Sequence, residues 1–279
     1  MKGQISSEPT QSDRREVSYE PDYYEDHSAF SDPIESRTYL PEDNSDVVHH
    51  TYYSLGYNEK TEQSNWVAYR LTKASLEAPN VPRAKRFKYD KDVSSRTAAH
   101  KDYSHSGYTR GHMAPAGDMA FNKVAMTETF LMSNMSPQVK VFNNGVWKEL
   151  EENVRDWAFS NGELIVISGP IFYTENPKKI GKQTKVSVPD AFYKILLDNE
   201  GRDKKSIGFI IPHELATEPL QDFAVSIDEI EKQTGIDFFP RYFENDDTEE
   251  KMESKYNTKS WKISKKRYKQ RVNSWNKDI

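Results

Sequence analysis

The sequence predicts an α+β fold with a mostly antiparallel central sheet and helices on its faces. Three observations lead there. Short runs dense in aromatic and β-branched residues recur along the chain, an amphipathic helix is written between two of them, and no internal repeat is evident.

Taken in order, residues 1–47 read as a flexible acidic arm. They are rich in Ser, Glu, Asp, Tyr and Pro, and no apolar period is sustained. Twelve acidic and four basic side chains give the arm a balance of -8, so the remaining 232 residues carry +3 of the net charge of -5. A domain spanning residues 48–279, ending in a basic helical segment, is therefore expected. Its cations cluster at Arg83, Lys85, Arg86, Lys88 and Lys91, and again from Lys262 to Arg271. Such runs permit phosphate binding, although charge runs are as often solvated faces.

Within this domain, Trp66 to Thr72 reads as the first strand. Similar signals recur at Thr129 to Met132, Leu164 to Ser168, Phe192 to Leu197 and Ile207 to Ile211. Between them Asn143 to Ser160 reads as a helix, because Val146, Trp147, Leu150, Val154, Trp157 and Ala158 form one apolar stripe. A further helix is expected over Ile227 to Thr234. No stretch resembles a membrane span, and the start is polar. Cysteine is absent, which excludes disulfides and a thiolate zinc site but leaves carboxylate, amide or imidazole ligation open.

Two segments carry chemistry. Arg110 and His112 are two residues apart, so an extended segment projects both from one face, while Gly111 between them permits close approach. Along the helix, Asn143, Trp147, Glu151 and Arg155 follow in steps of four. Asn143 could offer an amide oxygen to a hard cation, Glu151 could hold a water of its shell, and Arg155 could meet a phosphate. Base, cations and a metal are what phosphodiester hydrolysis requires. By themselves the same residues also fit a surface turn followed by an Asn-capped helix with an exposed Glu-Arg pair.

The run Gly107 to Pro115, the segment Ser133 to Gln138 and the segment Asn143 to Glu151 stand in the order and spacing of the DNA/RNA non-specific endonucleases, a ββα-metal family that this chain resembles over about residues 50 to 242. Trp66 to Thr72, Ser168 to Ile171, Val188 to Lys194 and Thr234 to Pro240 are similar to its segments as well. The resemblance implies a ββα-metal motif and metal-dependent cleavage of DNA and RNA with little sequence preference. It implies His112 as general base, and Asn143 as the direct protein ligand of Mg²⁺, with Mn²⁺ as a substitute. It assigns Glu151 to orienting a metal water, and Arg70, Arg110 and Arg155 to binding phosphate and stabilising its transition state. Homodimers are also implied, although no segment specifies one. One position departs from the family pattern: the usual run is DRGH, and Thr109 stands in place of its acidic residue.

Two other readings stay open. His100, His105 and His112 could ligate zinc, although spacings of five and seven fit no regular face. A nucleic-acid-binding relative that has lost catalysis would fit the basic clusters and Thr109. His49, His50 and His213 read as surface or structural residues. Since an unrestrained nuclease endangers its own cell, a secreted, periplasmic or cell-envelope location is expected, with the export signal removed; a mitochondrial relative could share these motifs.

Overall fold

The computed structural model describes residue 30 and residues 32–200 and 203–277. Eleven strands are formed among them: β1 (Asp46–His49), β2 (Ser54–Asn58), β3 (Gln63–Thr72), β4 (Thr109–His112), β5 (Met135–Gln138), β6 (Glu163–Ile171), β7 (Lys179–Ile180), β8 (Val186–Ser187), β9 (Ala191–Asp198), β10 (Lys205–Pro212) and β11 (Ala224–Val225). Helices are α1 (Lys73–Glu77), α2 (Lys123–Glu128), α3 (Lys140–Phe142), α4 (Lys148–Asn161), α5 (Ile227–Thr234), α6 (Asp246–Glu253) and α7 (Lys265–Gln270), with several single turns between them.

Seven strands form one antiparallel sheet in the order β1-β2-β3-β6-β9-β10-β11. The alternation of side chains along its strands sorts the core into two layers. Val67, Tyr69, Leu71, Leu164, Val166 and Leu196 pack with Leu150, Val154 and Trp157 of α4. Trp66, Ala68, Ile165, Ile167, Ile195 and Leu197 pack on the opposite face with Ile227 and Ile230 of α5. The α+β expectation and its mostly antiparallel sheet hold.

Three local expectations change. Residues 32–47, expected within the arm, pack on the domain: Tyr39 and Leu40 are buried, and Arg37 is buried with its guanidinium on the carbonyls of His50, Thr51 and Tyr53. Apart from residue 30, the rest of the expected arm lies outside the described residues. Thr129 to Met132 forms a turn and one bridge from Leu131 to Lys88 instead of a strand, and the ladder begins at Met135. The helix over Asn143 to Ser160 forms, but it is kinked. Gly145 takes φ -103° and ψ -110°, inside a wide turn over Asn143–Trp147. Wide turns of this kind rephase the side chains on either side of them.

β4 and β5 pair antiparallel as a separate ribbon, with Gly111 opposite Ser136 and His112 opposite Met135. A Cβ on Gly111 would fall about 2.1 Å from the side chain of Gln138, so a larger residue there must displace that buried amide. The helix α3–α4 follows directly and completes a ββα unit against the sheet.

Candidate active site

A cleft of about 360 Å³ opens between the end of β4 and the solvent side of α4. His112, Asn143, Glu151 and Arg155 line it together, joined by Arg83. The row expected in steps of four is corrected at one position: Trp147 is fully buried, and the cleft side of the helix is carried by Asn144, Lys148, Glu151, Glu152 and Arg155. Trp147 belongs instead to the apolar stripe with Val146, Leu150 and Val154. The wide turn at Gly145 lies between Asn143, which faces the cleft, and Trp147, which enters the core.

His112 stands edge-on to Phe130, with ring centroids 5.0 Å apart, and tilts against Phe87 at 6.0 Å. Its Nε2 is buried and has no hydrogen-bond partner. Burial, reinforced by the Arg83 guanidinium, pushes the imidazole down from 6.5 to about 3. The ring is held neutral at pH 7.

Asn143 donates from Nδ2 to the hydroxyl of Thr109 at 2.8 Å, and that hydroxyl donates in turn to the carbonyl of Gln138 at 2.8 Å. Glu151 is raised by burial, against the nearby cations Lys194 and Arg155. Arg155 is held by Asp118 at 2.8 Å, and the other oxygen of that carboxylate accepts from Tyr69 at 2.7 Å.

Two residues join this group that were not singled out as site residues in the sequence. Arg83 follows Pro82 in an extended segment tied to the domain by Val81 and Lys88, and its guanidinium lies 5.1 Å from the ring of Phe130. Lys194 rises from β9 on the same face as Phe192 and Leu196, toward α4. Its ammonium is buried without a hydrogen-bond partner, 4.7 Å from the ring of Trp147, and burial pulls its pKa down.

Arg70 is not brought to the cleft. On β3 it shares the face of Trp66 and Ala68, opposite α4, and forms a two-pronged pair with Glu163 at 2.8 and 2.5 Å and a contact to Asp32 at 3.5 Å. Arg110 does leave β4 on the side of His112, since both meet Phe87, but it lies outside the cleft lining. Its guanidinium stacks on Phe87 at 5.1 Å and reaches the carbonyl of His100 at 3.3 Å.

The histidine zinc set is not assembled. Among the described residues, the groups whose ligand atoms lie within 4.8 Å are His50 with Asp90 and Asp92, and Asp228 with Glu231 and Glu253. The first could hold a metal ion, but Asp90 Oδ2 already accepts from His50 Nε2 at 2.9 Å and from Ser133 at 2.5 Å, and no member of it lines the cleft. His213 is structural, linking Val139 to Pro189 through its two ring nitrogens. Two of the six C-terminal cations are structural, while Lys262, Lys265, Lys266 and Lys269 are exposed. Arg271 is fully buried against Glu149 of α4, and Arg267 pairs with Glu152 and Asp156. No helix among the described residues is long and apolar enough to cross a membrane.

Comparison with known proteins adds an independent line. A family model described as DNA/RNA non-specific endonuclease matches residues 31–245. A nuclease of Syncephalastrum racemosum is 38% identical over 218 residues, spanning 71% of this chain and 68% of that protein. The mitochondrial nuclease EXOG of Danio rerio is 34% identical over 216 residues, 72% of this chain and 63% of its own length. A chain from the crystal structure of the EndoG/EndoGI complex superposes with a TM-score of 0.68 at 29% identity, covering 74% of this chain and 90% of that one. The expected exported location is corrected by these relatives, because those whose names carry a location are mitochondrial.

Proposed function

This chain belongs to the DNA/RNA non-specific endonuclease family, and from that premise we propose that the cleft under His112 hydrolyses phosphodiester bonds of DNA and RNA by metal-assisted attack of water. One observation carries the reading. A neutral imidazole, an oriented amide, a half-buried carboxylate and two guanidinium groups converge on a single cleft at the mouth of a ββα unit.

His112 takes the proton of the attacking water. Its unpartnered Nε2 supports that role, since a nitrogen already hydrogen-bonded to protein could not accept one. Asn143 and Glu151 fit a hard cation, which the family requires. Thr109 occupies the amide nitrogen of Asn143, so the amide oxygen is the atom left for a ligand. Mg²⁺, or Mn²⁺ in its place, would supply positive charge near the leaving 3′ oxygen when bound there. Glu151 orients water on the cleft side of α4. Arg83 and Arg155 bind the scissile phosphate and offset its developing charge, with Arg83 taking the part the sequence had given to Arg70. Arg110, beside the lining, engages a phosphate further along the strand.

Contacts of this kind grip the backbone and read no bases, which supports low sequence preference. Incubation of supercoiled plasmid and of a structured RNA, each with and without EDTA, tests the proposal. Metal-dependent cleavage of both is expected, and His112→Ala should abolish it with the circular dichroism spectrum intact. Binding without any metal-dependent cleavage would favour the non-catalytic relative instead.

A further inference from the structure

The family match ends at residue 245, and the helix beyond it brings a carboxylate to a place where negative charge already gathers. α6 is seated on β10, where the hydroxyl of Ser206 donates to the carbonyl of Met252. Glu253, the last residue of α6, is 7% exposed, and its Oε1 is buried with no hydrogen-bond partner. One oxygen each from Asp228, Glu231 and Glu253 lies within 4.8 Å of the others.

Asp237 and Glu249 deepen the negative field, and every strong electrostatic neighbour of Glu253 is acidic. Lys232, on the same helix as Asp228 and Glu231, points to Glu229 at 3.7 Å. Burial and then these carboxylates push the Glu253 carboxyl up to about 9. Carboxylates so placed are neutralised either by protons or by a bound cation.

We propose that Asp228, Glu231 and Glu253 hold a hard divalent cation of the Ca²⁺ class, on the face of the sheet opposite the catalytic cleft. The two faces are distinguished by packing: Ile227 and Ile230 of α5 meet Trp66 and Ile165, whereas α4 packs on Val67 and Val166. The donors are all oxygen, with neither imidazole nor thiolate, which selects a hard ion. Oxygens bound to one Ca²⁺ at about 2.3–2.6 Å lie up to about 5 Å apart, and the three carboxylates meet that limit. Ca²⁺ also tolerates irregular coordination completed by water, where Mg²⁺ demands a near-ideal octahedron. Glu231 is already oriented, because its Oε1 accepts from the amide of Phe238 at 2.8 Å and its second oxygen is left for the ion. The cation would fasten α6 to α5, and with it the start of the segment that runs on to α7.

The test uses the full chain carrying Asn143→Ala, so that the proposed catalytic ligand is removed, titrated with Ca²⁺ by calorimetry in metal-free buffer at pH 8. One Ca²⁺ per chain is expected, with Tm raised by about 3–8 °C at saturation. Adding Glu253→Gln should abolish both effects, while Glu253→Gln alone leaves Mg²⁺-dependent cleavage unchanged. If Glu253→Gln does not fold, Asp228→Asn on the half-exposed turn of α5 must show the same loss. Absence of binding heat and of any Tm shift at millimolar Ca²⁺ would overturn the proposal. So would Ca²⁺ binding that survives both substitutions, or a Glu253→Gln chain stabilised equally with and without Ca²⁺, which would assign the neutralisation to protons.

Discussion

The amide of Asn143 is turned by the hydroxyl of Thr109, which accepts its Nδ2–H at 2.8 Å while donating to Gln138. A hydroxyl whose proton is committed to a carbonyl can only accept from its other neighbour, so the amide oxygen of Asn143 is directed elsewhere. The one departure from the family's usual DRGH run therefore touches the proposed metal ligand itself.

Thr109→Val should free that amide to rotate and raise the half-saturating Mg²⁺ concentration about 10-fold, while Thr109→Ser keeps it near the parent value. Thr109→Asp restores an acidic acceptor and should lower the Mg²⁺ requirement. Cleavage rates across Mg²⁺ concentration and pH report all three, and superimposable curves would remove Thr109 from metal binding.

His112 has a folded pKa near 3, below its ordinary 6.5. The unfolded chain takes up a proton near 6.5 and the folded chain does not, so stability is complete above 6.5 and is lost as pH falls toward 3. His112→Phe, a ring suited to its neighbours Phe87 and Phe130, should remove this acid sensitivity. Urea midpoints from pH 7 to 4 should fall less steeply in the variant, the difference approaching about 1 kcal/mol per pH unit. Equal slopes would mean that the folded ring is protonated. Cleavage should drop about 10²- to 10⁴-fold.

Arg83 and Arg70 separate the cleft from the opposite face of the sheet. Arg83→Ala should lower kcat/KM on plasmid by about 10²-fold, as loss of a charged phosphate contact does. Arg70→Ala should leave it within about threefold and cost about 1 kcal/mol of stability, because its pair with Glu163 is half-exposed. Equal losses in the two variants would return Arg70 to the site.

Arg271 is the counter-ion of Glu149, and both side chains are fully buried. Arg271→Met should destabilise the fold by about 3–5 kcal/mol by stranding a carboxylate. Glu149→Leu in the same chain should recover most of that in urea unfolding. A double variant no better than the single would place the cost in packing instead.

Much of the fold was legible because apolar period carries it. The stripe from Val146 to Ala158 and the runs in β3, β6, β9 and β10 are buried as their patterns require. The Gly145 kink was not, since a periodic pattern does not record a wide turn inserted within it. Arg83 stood out only as one of a basic cluster, because in extended chain after a proline no period assigns it a direction. Lys194 did leave a trace: one lysine inside the apolar run Ala191 to Leu197 calls for a buried opposing charge, and Glu151 answers it. Arg70 misled because its role came from resemblance alone: its strand was read correctly, but the sequence assigned no face, and side chains one residue apart point to opposite faces.

The buried pair between α4 and the C-terminal segment also bears on timing. Glu149 precedes Arg271 by 122 residues, so during synthesis the helix that carries Glu151 and Arg155 emerges well before the cation that balances its inner face. At ordinary elongation rates of about 5–20 residues per second, that is an interval of several seconds or more in which α4 has no finished seat. A nascent chain that has made Glu149 but not Arg271 therefore carries α4 without the buried counter-ion of its inner face.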